Sequence, residues 1–163
     1  MKVVKLRKQV WIRRTVWTIL GASLCVGAQT GFLFNPRYFL LLNAICDSNP
    51  NGVRLILDSG LDPNYIPDDP WTKFCEGGYS PIAMAAGTGN VEIVKILLDH
   101  NADVDLGDGW RGSPLTEAAL IDHLQVMQVL IDLGATINED ESGSYALWCA
   151  AMEGKTQAVS LLL

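Results

Sequence analysis

A short pattern, Ser-Pro-aliphatic followed two residues later by Ala-Ala, occurs twice: as SPIAMAA from Ser80 and as SPLTEAA from Ser113. A unit that returns at so short an interval cannot bury an apolar face alone. Successive copies must stack and share one continuous core, which makes the chain a repeat array. Each copy also carries its own helix signals. Ser80 is a natural N-cap, and Pro81 fits the first helical position, where a missing N–H does no harm. Ala85 and Ala86 are small enough to let a neighbouring helix approach. The stretch NVEIVKILLDHNADVD supplies a second helix, with Val91, Val94, Ile96, Leu97 and Leu98 as a wide apolar face and Asn101 in a left-handed turn at its end.

The stretch from Gly78 to Asp108, GYSPIAMAAGTGNVEIVKILLDHNADVDLGD, resembles the ankyrin repeat family over its whole length. The family's pattern runs through Thr-Pro-Leu-His, Ala-Ala, Gly-His, a leucine run and Gly-Ala-Asp-Val-Asn. Ala83 departs from it where the family has His, and Asn101 where it has Gly. The next copy matches through Gly134-Ala135 and Ile137-Asn138, with Thr116 in the His place. The resemblance implies an all-α solenoid of about four helix-turn-helix repeats with projecting finger loops; an N-terminal signal or anchor helix, read from charge and hydropathy, is expected to precede it. Residues 1–34 form that leader and residues 35–163 the repeats. Within them, 39–64 is a degenerate capping repeat without a Ser/Thr-Pro start, 65–79 an inserted finger, 80–108 and 113–140 the regular copies, and 145–163 an incomplete last repeat. Asp62 and Asp103 hold equivalent places, yet the interval between them is longer than that from Ser80 to Ser113, so the first finger holds an insertion. In the last repeat Val159, Leu162 and Leu163 are expected to leave apolar surface open, which implies self-association or fraying of that repeat.

Charge divides the chain sharply. Lys2, Lys5, Arg7, Lys8, Arg13 and Arg14 precede an uncharged, mostly apolar run, whereas residues 29–163 hold six basic and all eighteen acidic residues, a net charge of −12. An acidic body repels phosphate backbones, which excludes nucleic acid and favours a basic protein partner. The basic head and the run Thr15–Ala28 read as a secretory signal ending at Val26-Gly27-Ala28. A second reading is an uncleaved anchor over Val16–Phe34, just long enough to cross a bilayer, with residues 16–34 in the membrane; a third is a buried N-terminal helix. Either of the first two exports the repeats, to a periplasm or to the outer face of an inner membrane, since positive flanks stay inside.

Catalysis finds little support. His100 falls at a helix end and His123 in an interhelical turn, where it fills the family's Gly-His place. No nucleophile elbow, phosphate-binding glycine loop or zinc-spaced cluster accompanies them, so no catalytic residue, metal or cofactor is expected. The run DVDLGDG from Asp103 resembles a calcium loop, but a glycine replaces the third oxygen ligand and Pro114 the closing glutamate, so it reads as a finger turn. Cys149 is expected to be packed. A Cys46–Cys75 disulfide fits an exported body, yet the hairpin geometry sets the two far apart.

Trp71, Phe74 and Tyr79, in or beside the inserted finger, and Trp110 with Arg111, in the next, stand at positions that the repeat core does not require. Such residues anchor protein interfaces, which makes these five the expected partner-binding set. Trp71 and Phe74 have a second reading, as a local cover over the first repeat. The function expected is non-catalytic protein binding by the fingers and the concave face, in the manner of a bacterial immunity or accessory protein. The alternatives are a scaffold subunit of an enzyme complex and a structural membrane tether.

Overall fold

The computed structural model describes residues 35–66, 80–107, 112–137 and 145–163. Residues 1–34, with the signal or anchor expected there, lie outside these. So do Cys75 and all five expected anchors, Trp71, Phe74, Tyr79, Trp110 and Arg111.

Among the described residues eight helices follow one another as four hairpins: α1 Pro36–Cys46 with α2 Pro50–Asp58, α3 Pro81–Thr88 with α4 Val91–Asp99, α5 Pro114–Ile121 with α6 Leu124–Asp132, and α7 Tyr145–Met152 with α8 Thr156–Leu162. The described residues are all-helical. First helices stack on first helices and second helices on second, in two parallel rows. The first row meets through Ala85, Ala86, Ala118, Ala119 and Ala150, all buried; the second through larger Val53, Ile93, Val94, Leu97, Val126 and Leu130. Helices spaced by alanine sit closer than helices spaced by branched residues, so the array curves toward its first helices, which form the concave side.

The helix starts follow from the sequence. Ser80 Oγ accepts from Ala83 N at 3.1 Å and donates to Leu106 O, while Asn90 caps α4 by accepting from Ile93 N. The first repeat lacks a Ser/Thr-Pro start, as expected, and uses Asn35-Pro36, in which asparagine does the work of serine by accepting from Arg37 N. Its helix therefore begins before residue 39 and runs to 11 residues, against 8 in α3 and α5.

Left-handed positions, two in each of the first three repeats and one in the last, fix the register. Between the helices stand Ser48, Gly89, Asp122 and Gly154; after the second helix stand Gly60, Asn101 and Gly134, all at positive φ. At Gly89 a side chain would also require a neighbour to move. A Cβ there would lie 2.6 Å from the His123 ring, which packs against this turn from the following repeat.

Polar bonds run between repeats as well. Asn64 donates to Asn101 O and accepts from Asp103 N, and Asp105 accepts from both the backbone N and the hydroxyl of Thr136. Lys155 cannot cap α8 with its side chain, and Asp122 of the preceding repeat accepts from Ala158 N in its place.

Of the three apolar groups expected to be open in the last repeat, Leu163 is exposed, whereas Leu162 is buried and Val159 half-buried, because both turn in against α7 and α6; Tyr145, Trp148 and Met152 are open in addition.

Candidate protein interface

The exposed strip of the concave row lies at the C-terminal ends of the first helices. Counting back one residue from each interhelical turn gives Asp47, Thr88, Ile121 and Glu153, all exposed. One position earlier stand Cys46, Gly87, Leu120 and Met152. Acidic groups therefore flank an apolar middle. Gly87 opens a notch in this strip. The nearest atom to a Cβ placed there is Glu117 Oε2, at 3.5 Å, so a carboxylate forms the notch floor. On one side of it Cys46 Sγ lies 3.6 Å from Met84 Sδ.

Glu117 is buried on α5, and its charge is felt on α7 as well as in the notch. Burial pushes the Cys149 thiol up, and the neighbouring Glu117 and Glu153 carboxylates push it further, against a smaller opposing hydrogen bond from Tyr145. Cys149 is thus packed, as expected, and held protonated rather than primed as a nucleophile. Both histidines are engaged within the stack. His123 fills the turn beneath Gly89, and His100 joins the end of α4 to the end of α2, with Nε2 3.0 Å from Asp58 Oδ1 and Nδ1 2.7 Å from Ile96 O.

The Asp58 hydrogen bond, helped by Ile96 O, raises the His100 pKa above its ordinary value. A raised folded-state pKa contributes stability below the unfolded value and loses it as pH rises through the folded one. The pair is partly exposed, so the effect is small, about 0.5 kcal/mol. Urea unfolding at pH 5.5 and pH 8 should show that loss in the wild type and not in Asp58→Asn; an unchanged pH dependence in the variant would show that the pair carries none of it.

Asp103 and Asp105 are occupied by the finger turn itself. Asp103 Oδ1 accepts from Asp105 N, and both oxygens of Asp105 are held by Thr136, as a structural turn requires. Among the described residues no group of three His, Cys, Asp or Glu side chains is placed to hold a metal, and no helix is long and apolar enough to cross a membrane.

The sequence did not single out Ile121, Leu120, Met152 or the Glu117 notch as an interface. The signal was available in the positions between and just after the Ser-Pro and Ala-Ala landmarks, which differ from copy to copy while the landmarks repeat.

The family profile described as ankyrin repeats (3 copies) matches residues 41–141. Among curated proteins the chain is similar to human SH3 and multiple ankyrin repeat domains protein 1, 35% identical over 104 residues, covering 63% of this chain and 4% of that protein. It is 33% identical over 111 residues to the ankyrin repeat and KH domain-containing protein CBG24701 of Caenorhabditis briggsae, covering 68% of this chain and 4% of that one. With serine/threonine-protein kinase 12 of Arabidopsis thaliana it shares 32% identity over 84 residues, 52% of this chain and 17% of the kinase. The chain thus spans a small part of each of these relatives, within the repeats.

Proposed function

Because the chain belongs to the ankyrin repeat family and so is a protein–protein interaction module, we propose that its concave strip and fingers bind a basic protein on the far side of a membrane. The observation that carries this reading is the Glu117 carboxylate at the floor of the Gly87 notch, flanked by Asp47 and Glu153. A charge-assisted hydrogen bond would hold an arginine or lysine of a partner there. The net charge of −12 beyond residue 28 supplies a field that draws such a partner in. Trp71, Phe74, Tyr79, Trp110 and Arg111 add aromatic anchors from the fingers.

The proposed location, exported and either periplasmic or held in the inner membrane by residues 16–34, rests on the basic head and the apolar run. From there an acidic binder can mask a basic toxic enzyme, the immunity role. Self-association through the last repeat belongs to the same reading, and the repeats act in it by binding rather than by catalysis.

Affinity capture on the immobilised full chain, from exported and cytoplasmic fractions, tests the proposal. A basic protein should be retained from the exported fraction at low salt and released as salt rises, because screening weakens long-range attraction. A reporter fused after Leu163 should be active only across the membrane. Retention of cytoplasmic proteins alone, or a reporter active only in the cytoplasm, contradicts it.

A further inference from the structure

Counting back from the interhelical turns at Ser48, Gly89, Asp122 and Gly154 puts the repeats in one register, in which the residue two before one turn faces the residue five before the next. Cys46 stands against Met84 in this way, with the two sulfur atoms 3.6 Å apart. Gly87 stands against Glu117, whose Oε2 would lie 3.5 Å from a Cβ built at the glycine. The same register pairs Leu120 with Cys149. The concave row thus carries seams between successive repeats, all inside the array: sulfur-lined or apolar at Cys46–Met84 and Leu120–Cys149, acidic at Gly87–Glu117 between them. The middle seam is also the one that lacks a side chain at its first position. The carboxylate beneath it belongs to a residue only 9% exposed.

The spacing of the seams selects a backbone. Packed helices stand about 8–10 Å apart. A β-strand returns a side chain to the same face every second residue, about 6.6 Å on, so its third residue faces away. A polyproline II helix returns its third residue to the same face about 9 Å on, which is one helix spacing. We propose that the concave row takes a single polyproline-II segment of the partner with the pattern apolar-x-x-Arg-x-x-apolar, whose arginine enters the Gly87 notch. This rests on the concave strip as the binding face of the proposed function and names the segment that it reads. The apolar side chains lie on the Cys46–Met84 and Leu120–Cys149 seams, and the pattern reads the same in either chain direction. Arginine suits the floor better than lysine, because its guanidinium is more weakly hydrated and offers paired donors to a carboxylate that is nearly buried.

Fluorescence anisotropy of the labelled peptide Leu-Pro-Pro-Arg-Pro-Pro-Leu with the full chain tests this. The peptide should bind, and should bind at least about 10-fold more weakly when its arginine becomes glutamine or moves one place to give Leu-Pro-Arg-Pro-Pro-Pro-Leu, because a hydrogen bond to a charged group is lost. Gly87→Leu gives the second repeat the side chain that the third already carries at Leu120, and leucine favours a helix more than glycine does. That variant should keep at least the wild-type urea midpoint and lose at least about 10-fold in peptide affinity. Glu117→Gln should bring the arginine peptide and its lysine counterpart within about twofold of each other, where the wild type prefers arginine. No binding by the wild type, equal binding of the shifted peptide, or full binding by Gly87→Leu overturns the proposal. Capture of a basic protein that the peptide does not displace overturns it too and leaves the proposed function standing. Arginine-specific, Gly87-dependent peptide binding with no basic protein captured removes the proposed partner and upholds the notch.

Discussion

Replacing Leu97 by alanine should lower the unfolding free energy by about 3 kcal/mol, which is a large share of the margin of a small domain. Leu97 is fully buried on α4, among the second helices of three repeats. Truncation removes its transfer free energy and leaves a cavity that rigid neighbours fill only in part. Repeat stability is a sum of unit and nearest-neighbour terms, so a fault in an inner repeat weakens two interfaces at once. In urea the midpoint should fall by about 1–2 M with an unchanged slope. The control is Leu133→Ala, which alters an exposed side chain at the end of α6 and should cost less than about 0.5 kcal/mol. Similar losses in both would mean that Leu97 is not the keystone that the two-row packing makes it.

The legible part of the fold came from spacing that the backbone itself demands. Ser80-Pro81 and Ser113-Pro114 start α3 and α5, and Asn101 turns left-handed at the end of α4, because capping and positive φ are local requirements that few residue types meet. Asn35-Pro36 passed unnoticed as the start of α1, because it replaces serine with a residue of equal capping power but different spelling. The last repeat was harder. Period and hydrophobicity mark Val159 and Leu162 as apolar but cannot say which of them turns inward. That depends on the stack, which buries Leu162 and leaves Trp148 open. The Gly87 notch was illegible for the same reason: its floor, Glu117, comes from the next repeat and is brought there only by stacking.

The proposed function has the array bind a basic protein by its first-helix side, through the concave strip and the finger anchors. The decisive measurement is the affinity of the captured basic partner for three variants, with folding checked by circular dichroism. Ile121→Arg puts a positive charge on the exposed concave strip, Leu133→Arg puts the same charge on the second-helix side, and Trp110→Ala removes a finger anchor. Like charges set against each other cost several kcal/mol in a contact, and a central tryptophan contributes about 2 kcal/mol or more. Affinity should therefore fall at least about 30-fold in Ile121→Arg and in Trp110→Ala, mainly through faster dissociation for Trp110→Ala, and stay within about twofold in Leu133→Arg. Wild-type binding by Ile121→Arg with loss in Leu133→Arg would put the partner on the opposite face. A Trp110→Ala protein that binds normally but melts early would make that tryptophan part of the core.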